Sequence, residues 1–156
     1  VTMSVLDAFL EAPRTDWVAA YAAGVAKSQA NADAQWAGHQ AARMTGTTPS
    51  LPVEGYAGTY RDAWYGDVLV EQEGERLRLR FSSTAQLLGT LEHWQHDTFL
   101  VRWDDRSLNA DAFVTFSLDA DGKVREVRMQ AVSSLTDFSF DFQDLVLVPV
   151  EQAKGG

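Results

Sequence analysis

Glu92-His93-Trp94-Gln95-His96-Asp97 gathers two imidazoles and two carboxylates into six residues, side-chain types that together can hold a divalent cation. Within a strand, residues three apart face opposite sides of the sheet, so His93 and His96 meet only if a turn falls between them. His39 lies far upstream in a helical pattern, and no spacing ties it to the pair. The segment therefore reads as a polar strand end, with no metal site and no cofactor. Asp104-Asp105 and Asp119-Ala120-Asp121-Gly122 are the other acidic clusters. A calcium loop spreads its ligands over about 12 residues and closes on a bidentate Glu, whereas here Val124 and Val127 resume a strand. Both clusters read as turns, which favour Asp and Gly.

Nucleophilic catalysis needs a serine activated by a nearby base. None of the serines stands in G-x-S-x-G, and none begins Ser-x-x-Lys. Gly55 and Gly58 have no following helix to complete a phosphate-binding loop. The aromatic residues offer binding rather than catalysis. Trp64, Tyr65, Trp94 and Trp103 fall at or near predicted strand ends, where they would ring the mouth of a barrel. They are the candidate ligand-binding residues, and packing into the core is their alternative use.

Two kinds of element must position these groups, and the pattern changes near Pro49. Upstream, Trp17 to Met44 is alanine-rich without internal proline. Trp17, Tyr21, Val25, Ala32 and Trp36 form a stripe at helical spacing. Thr15 or Asp16 is placed to cap it, Pro13 separates a shorter helix over Met3 to Leu10, and Gly46 is the expected stop. With no sustained heptad seam, the helix must lie against the barrel or a neighbouring domain.

From Tyr56 the period becomes two. Tyr56 to Tyr60 is the expected first strand. Val68 and Val70 alternate with Asp67, Leu69 and Glu71, Leu77, Leu79 and Phe81 alternate with Arg76, Arg78 and Arg80, and Glu73-Gly74-Glu75 joins the two runs as a hairpin. Glu71 and Glu73 would face the arginines of the second run. Leu87 to Trp94 and Thr98 to Trp103 flank a turn at Gln95-His96-Asp97. Val114 to Leu118 and Val124 to Gln130 flank Asp119–Gly122, with Val127 and Met129 inward. Phe138, Phe140 and Phe142 form an aromatic face, and a slip at Gln143-Asp144 predicts a β-bulge. Hairpin after hairpin predicts a mainly β fold: an eight-stranded antiparallel up-and-down barrel preceded by an N-terminal α-helical segment. A β-sandwich shares many of these features. The division is residues 1–48 as helical connector and 49–156 as barrel.

The 156 residues suffice for one domain with a real core, and the absence of cysteine excludes disulfides and thiolate metal sites. A net charge of −9 disfavours nucleic acid and anionic membrane as partners. No apolar run reaches the ~20 residues of a transmembrane helix, and the first ten residues lack a signal-peptide pattern. The chain starts within a helix-like pattern, as a fragment of something longer would.

Tyr56-Ala57-Gly58-Thr59-Tyr60, Trp64-Tyr65-Gly66-Asp67-Val68 and the acidic-glycine hairpin into Leu77-Arg78-Leu79 form an ordered set. With Leu91-Glu92-His93-Trp94, Phe99-Leu100-Val101-Arg102-Trp103 and Asp137-Phe138-Ser139-Phe140, it resembles the C-terminal lipocalin-like domain of β-lactamase-related serine hydrolases. The resemblance covers about the last hundred residues. It implies a non-catalytic accessory domain with a catalytic serine hydrolase domain as its partner in cis, in a periplasmic or secreted parent enzyme. The parent's Ser-x-x-Lys and Tyr-x-Asn do not occur here, so no catalytic residue carries over. A lipocalin-type module for small apolar ligands and a homo-oligomer remain the alternatives.

Overall fold

The computed structural model of the chain describes residues 16–136 and 140–150. The expectations on Met3 to Leu10, Pro13, Thr15 and Phe138 fall outside them. Helix α1 spans Trp17–Ala42. Asp16 caps it, its Oδ1 accepting from the N–H groups of Val18 at 3.1 Å and Ala19 at 3.0 Å. The helix stops at Ala42, short of the expected Gly46, because Arg43 turns to an extended conformation. There its Nε donates to the Trp94 carbonyl at 2.8 Å. Gly46, at φ +79°, makes the turn that follows.

Eight strands succeed one another: β1 (Gly58–Asp62), β2 (Gly66–Glu73), β3 (Arg76–Phe81), β4 (Leu88–Gln95), β5 (Thr98–Trp103), β6 (Ala112–Leu118), β7 (Val124–Ala131) and β8 (Val148–Pro149). They form one antiparallel sheet in the order β7-β6-β5-β4-β3-β2-β1-β8. The short last strand nearly closes it. Val148 and Pro149 pair with Arg61 and Tyr60 of β1, while Leu147 exchanges hydrogen bonds of 2.8 and 3.1 Å with Val127 of β7. Among the described residues the fold is mainly β, a nearly closed barrel preceded by one helix.

Two strands differ from the expected pattern. Val53–Tyr56 forms a 3-10 turn, so β1 begins at Gly58. The slip at Gln143-Asp144 is a 3-10 turn over Phe142–Asp144 rather than a bulge. Three residues per turn lets Phe142 and Leu145 both point inward, and each is at most 2% exposed. Bulges lie instead at His93/Gln95 and Ser117/Leu118.

Alternation sorts the strands as the period of two requires. Val68, Val70, Leu77, Leu79, Phe81, Val127 and Met129 are buried inside. Outside, Glu71 pairs with Arg80 at 3.1 Å and Glu73 with Arg78 at 3.9 Å. Gly89 in β4 faces Trp103 of β5 so closely that an added methyl would strike the Arg102 carbonyl. Only glycine fits there.

Candidate functional site

The four aromatic candidates occupy three separate places. Trp103 is an interior residue, 1% exposed. Its Nε1 donates to the Ala110 carbonyl at 2.6 Å, and its ring stacks on Phe142 with centroids 6.1 Å apart. Trp94 is also buried, but on the outer face of the sheet, where it joins Leu100, Phe113 and Val132 beneath α1. Trp64 and Tyr65 form the β1–β2 turn, Trp64 being 94% exposed. Asp62 builds that turn. Its Oδ1 accepts from the N–H groups of Trp64 (2.8 Å) and Tyr65 (3.1 Å), and its Oδ2 from Val146 at 2.9 Å. Burial alone would raise the Asp62 pKa, but these three donors outweigh it and hold the carboxyl below its ordinary value. One buried carboxylate thus ties the turn to the closing segment.

The densest constellation lies where α1 crosses β4, β5 and β6. Trp36 meets Trp94 at 5.4 Å between ring centroids, and Trp94 meets Phe113 at 5.2 Å. His39 sets its ring edge-on to Phe113 at 5.0 Å. Arg43 lies 4.5 Å above the Trp94 ring and Arg102 lies 5.4 Å above Trp36. Arg102 also meets Asp111 at 2.9 Å, and Arg106 meets the same carboxylate at 2.6 and 2.8 Å. Asp111 is pulled below its usual range because the two guanidinium groups overcome the opposing effect of its burial. A hollow of about 330 Å³ opens beside this network between Trp36, Arg102 and Asn109. Its cationic groups are already occupied by a carboxylate, so it braces the helix rather than presenting free charge.

A second brace fixes the chain between helix and barrel. Asp97, in the β4–β5 turn, accepts from the Ser50 N–H and hydroxyl, each at 2.8 Å, and from the Tyr56 hydroxyl. Burial, followed by that bond to Asp97, pushes the Tyr56 pKa up to about 12. Burial likewise pushes Tyr60 to about 12, and its hydroxyl donates to the Tyr56 carbonyl at 2.7 Å. The breaker-rich stretch 46–52 is therefore held to the barrel.

The histidines do not converge on a nucleophile or a metal. His93 places Nε2 2.9 Å from the His96 carbonyl oxygen, His96 places Nε2 3.2 Å from the Met44 sulfur, and His39 packs on Phe113. Among the described residues, no group of three or more His, Asp or Glu side chains could hold a metal ion. No described helix is long and apolar enough to cross a membrane. Sequence reasoning missed the roles of Arg43, Asp62, Asp97, Arg102 and Asp111. One signal was present: the unbroken Phe99-Leu100-Val101 run means that both faces of β5 are covered.

The sequence profile of a domain of unknown function, DUF3471, matches residues 42–149. The chain belongs to this family. DUF3471 is known as a β-lactamase-associated C-terminal domain, so the match agrees with the resemblance read from the motifs. The fold is similar to that of the C-terminal domain of penicillin binding protein Rv0907, at 21% identity and a TM-score of 0.50. The similarity covers 70% of this chain and 94% of that one; at this identity it concerns the fold alone. No curated protein matches the chain.

Proposed function

We propose that this DUF3471 chain is the non-catalytic accessory barrel of a serine hydrolase of the β-lactamase and penicillin-binding type. The family match over residues 42–149 carries the reading. In it, residues 1–48 are the connector and 49–156 the barrel, joined in cis to a catalytic domain that supplies Ser-x-x-Lys and Tyr-x-Asn. The chain itself has neither motif. The parent enzyme works in the periplasm or outside the cell.

The geometry supports a role in shaping, stabilising or assembling the enzyme. Side chains fill the barrel around Leu79, Trp103 and Phe142, so its interior is scaffold. The Arg43 and Trp36 contacts fix the helix to that scaffold, and those of Asp97 fix the linker that follows it. A rigid helix-on-barrel body can hold a neighbouring domain at a set orientation, which a flexible linker cannot.

The test is the complete coding sequence. An in-frame hydrolase domain upstream is expected, and deleting the barrel should lower that domain's thermal stability or activity. A full polypeptide without a hydrolase domain overturns the reading. Titration of tryptophan fluorescence with fatty acids covers the ligand-binding alternative, and a saturable shift would favour it.

A further inference from the structure

The apolar stripe of α1 does not end where the barrel ends. At 100° per residue, Trp17, Tyr21 and Val25 lie on the same face as Ala32, Trp36 and His39, which meet the sheet. Within the first half of the stripe, Tyr21 and Val25 stand exposed. Tyr21 is 77% and Val25 52% exposed, while Trp17 and Leu135 are 38% and 37% exposed. Leu135, on the loop after β7, forms with this part of the helix a groove of about 760 Å³. Between Trp17 and Ala32 the sequence carries a single charged side chain, Lys27.

We infer that this overhanging face, centred on Tyr21 and Val25, docks the hydrolase domain that precedes the barrel in the same polypeptide. The inference rests on the function proposed above. Two features choose this occupant. The face continues the helix–barrel interface already described, so the same stripe serves both bodies. Its size also fits a tethered partner. The exposed parts of these four side chains offer roughly 400 Å², half of the ~800 Å² per partner typical of a free-standing complex. A covalent tether supplies an effective concentration in the millimolar range, where so small a surface suffices. Interfaces between domains of one chain bury about 600–1,500 Å² in total, which this face can meet. A second copy would have to bind through the same small area while carrying another −9 of charge.

The experiment compares backbone hydrogen exchange of residues 17–29 in the 156-residue chain and in the full polypeptide, each with and without Tyr21→Glu/Val25→Glu. Glu is a good helix former, and circular dichroism of the shorter chain checks that the variant keeps its fold. The expected result is exchange about tenfold slower in the full polypeptide, lost in the variant together with an increase in radius of gyration by X-ray scattering. Equal exchange in the two proteins overturns the inference. So does a dimer of the 156-residue chain that the variant dissociates, which makes a second copy the occupant. Protection already present in the shorter chain and lost on deleting residues 1–14 assigns the face to its own N-terminus and overturns it too. A full polypeptide lacking a hydrolase domain defeats the functional reading itself, whereas an unprotected helix beside such a domain defeats only the docking.

Discussion

Trp36→Ala should release the helix without unfolding the barrel. Trp36 contributes one tilted aromatic contact with Trp94 at 5.4 Å and one cation–π contact with Arg102 at 5.4 Å. Such contacts are worth about 0.5–1.5 and about 0.5–1 kcal/mol. The apolar area that the half-buried ring removes from water adds about 1 kcal/mol. The sum, about 2–3.5 kcal/mol, acts on docking of the helix rather than on the interior. At about 1.4 kcal/mol per factor of ten, the opening equilibrium rises roughly 30- to 300-fold. Native-state hydrogen exchange reads it directly. Amides of residues 32–42 should exchange faster by that factor, while those of Leu79 and Val101 keep their rates. Unchanged helix exchange, or an equal acceleration throughout β3 and β5, would show that Trp36 does not hold the helix to the barrel.

Three further perturbations address the interior, the seam and pH. Trp103→Ala, in the filled core, should cost about 3–5 kcal/mol of global stability, read as a lower urea midpoint; a loss below about 1 kcal/mol would mean that the interior is not packed around it. Asp62→Ala leaves three part-buried N–H groups without their acceptor and should cost about 1–2 kcal/mol, with faster exchange at Trp64, Tyr65 and Val146 as its local signature. Tyr56 and Tyr60 are raised from 10.0 to about 12. Their contribution is fully present below pH 10 and is lost as pH rises through about 12. Alkaline unfolding should therefore coincide with tyrosinate absorbance from these two residues, and ionisation at the ordinary value with the fold intact would contradict the assignment.

The barrel was legible because its signals are local. Leu77-Arg78-Leu79-Arg80-Phe81 alternates cleanly, and Gly74 marks its turn, so the β2–β3 hairpin follows from the sequence. The last strand was obscured by tertiary closure. Val148–Pro149 is too short to show a period, and the inward positions of Phe142, Leu145 and Leu147 need a 3-10 turn that alternation does not contain. The aromatic candidates share a composition and not a location. Trp103 and Trp94 point to opposite faces of the sheet, and strand phase separates them only after the bulge and the helix-covered face are known. The ion network at Asp111 joins β5, the following turn and β6, and a single sequence carries no sign of that convergence. Asp62 was more accessible, since an Asp two residues before Trp64 in a turn fits a local side-chain-to-backbone bond.

The most direct measurement is turnover by the purified 156-residue chain alongside the full polypeptide, on ester, peptide and β-lactam substrates. Hydrolysis by the full polypeptide and none by the chain is the expected result. Hydrolysis by the chain itself, abolished by substituting one of its own serines, would contradict it.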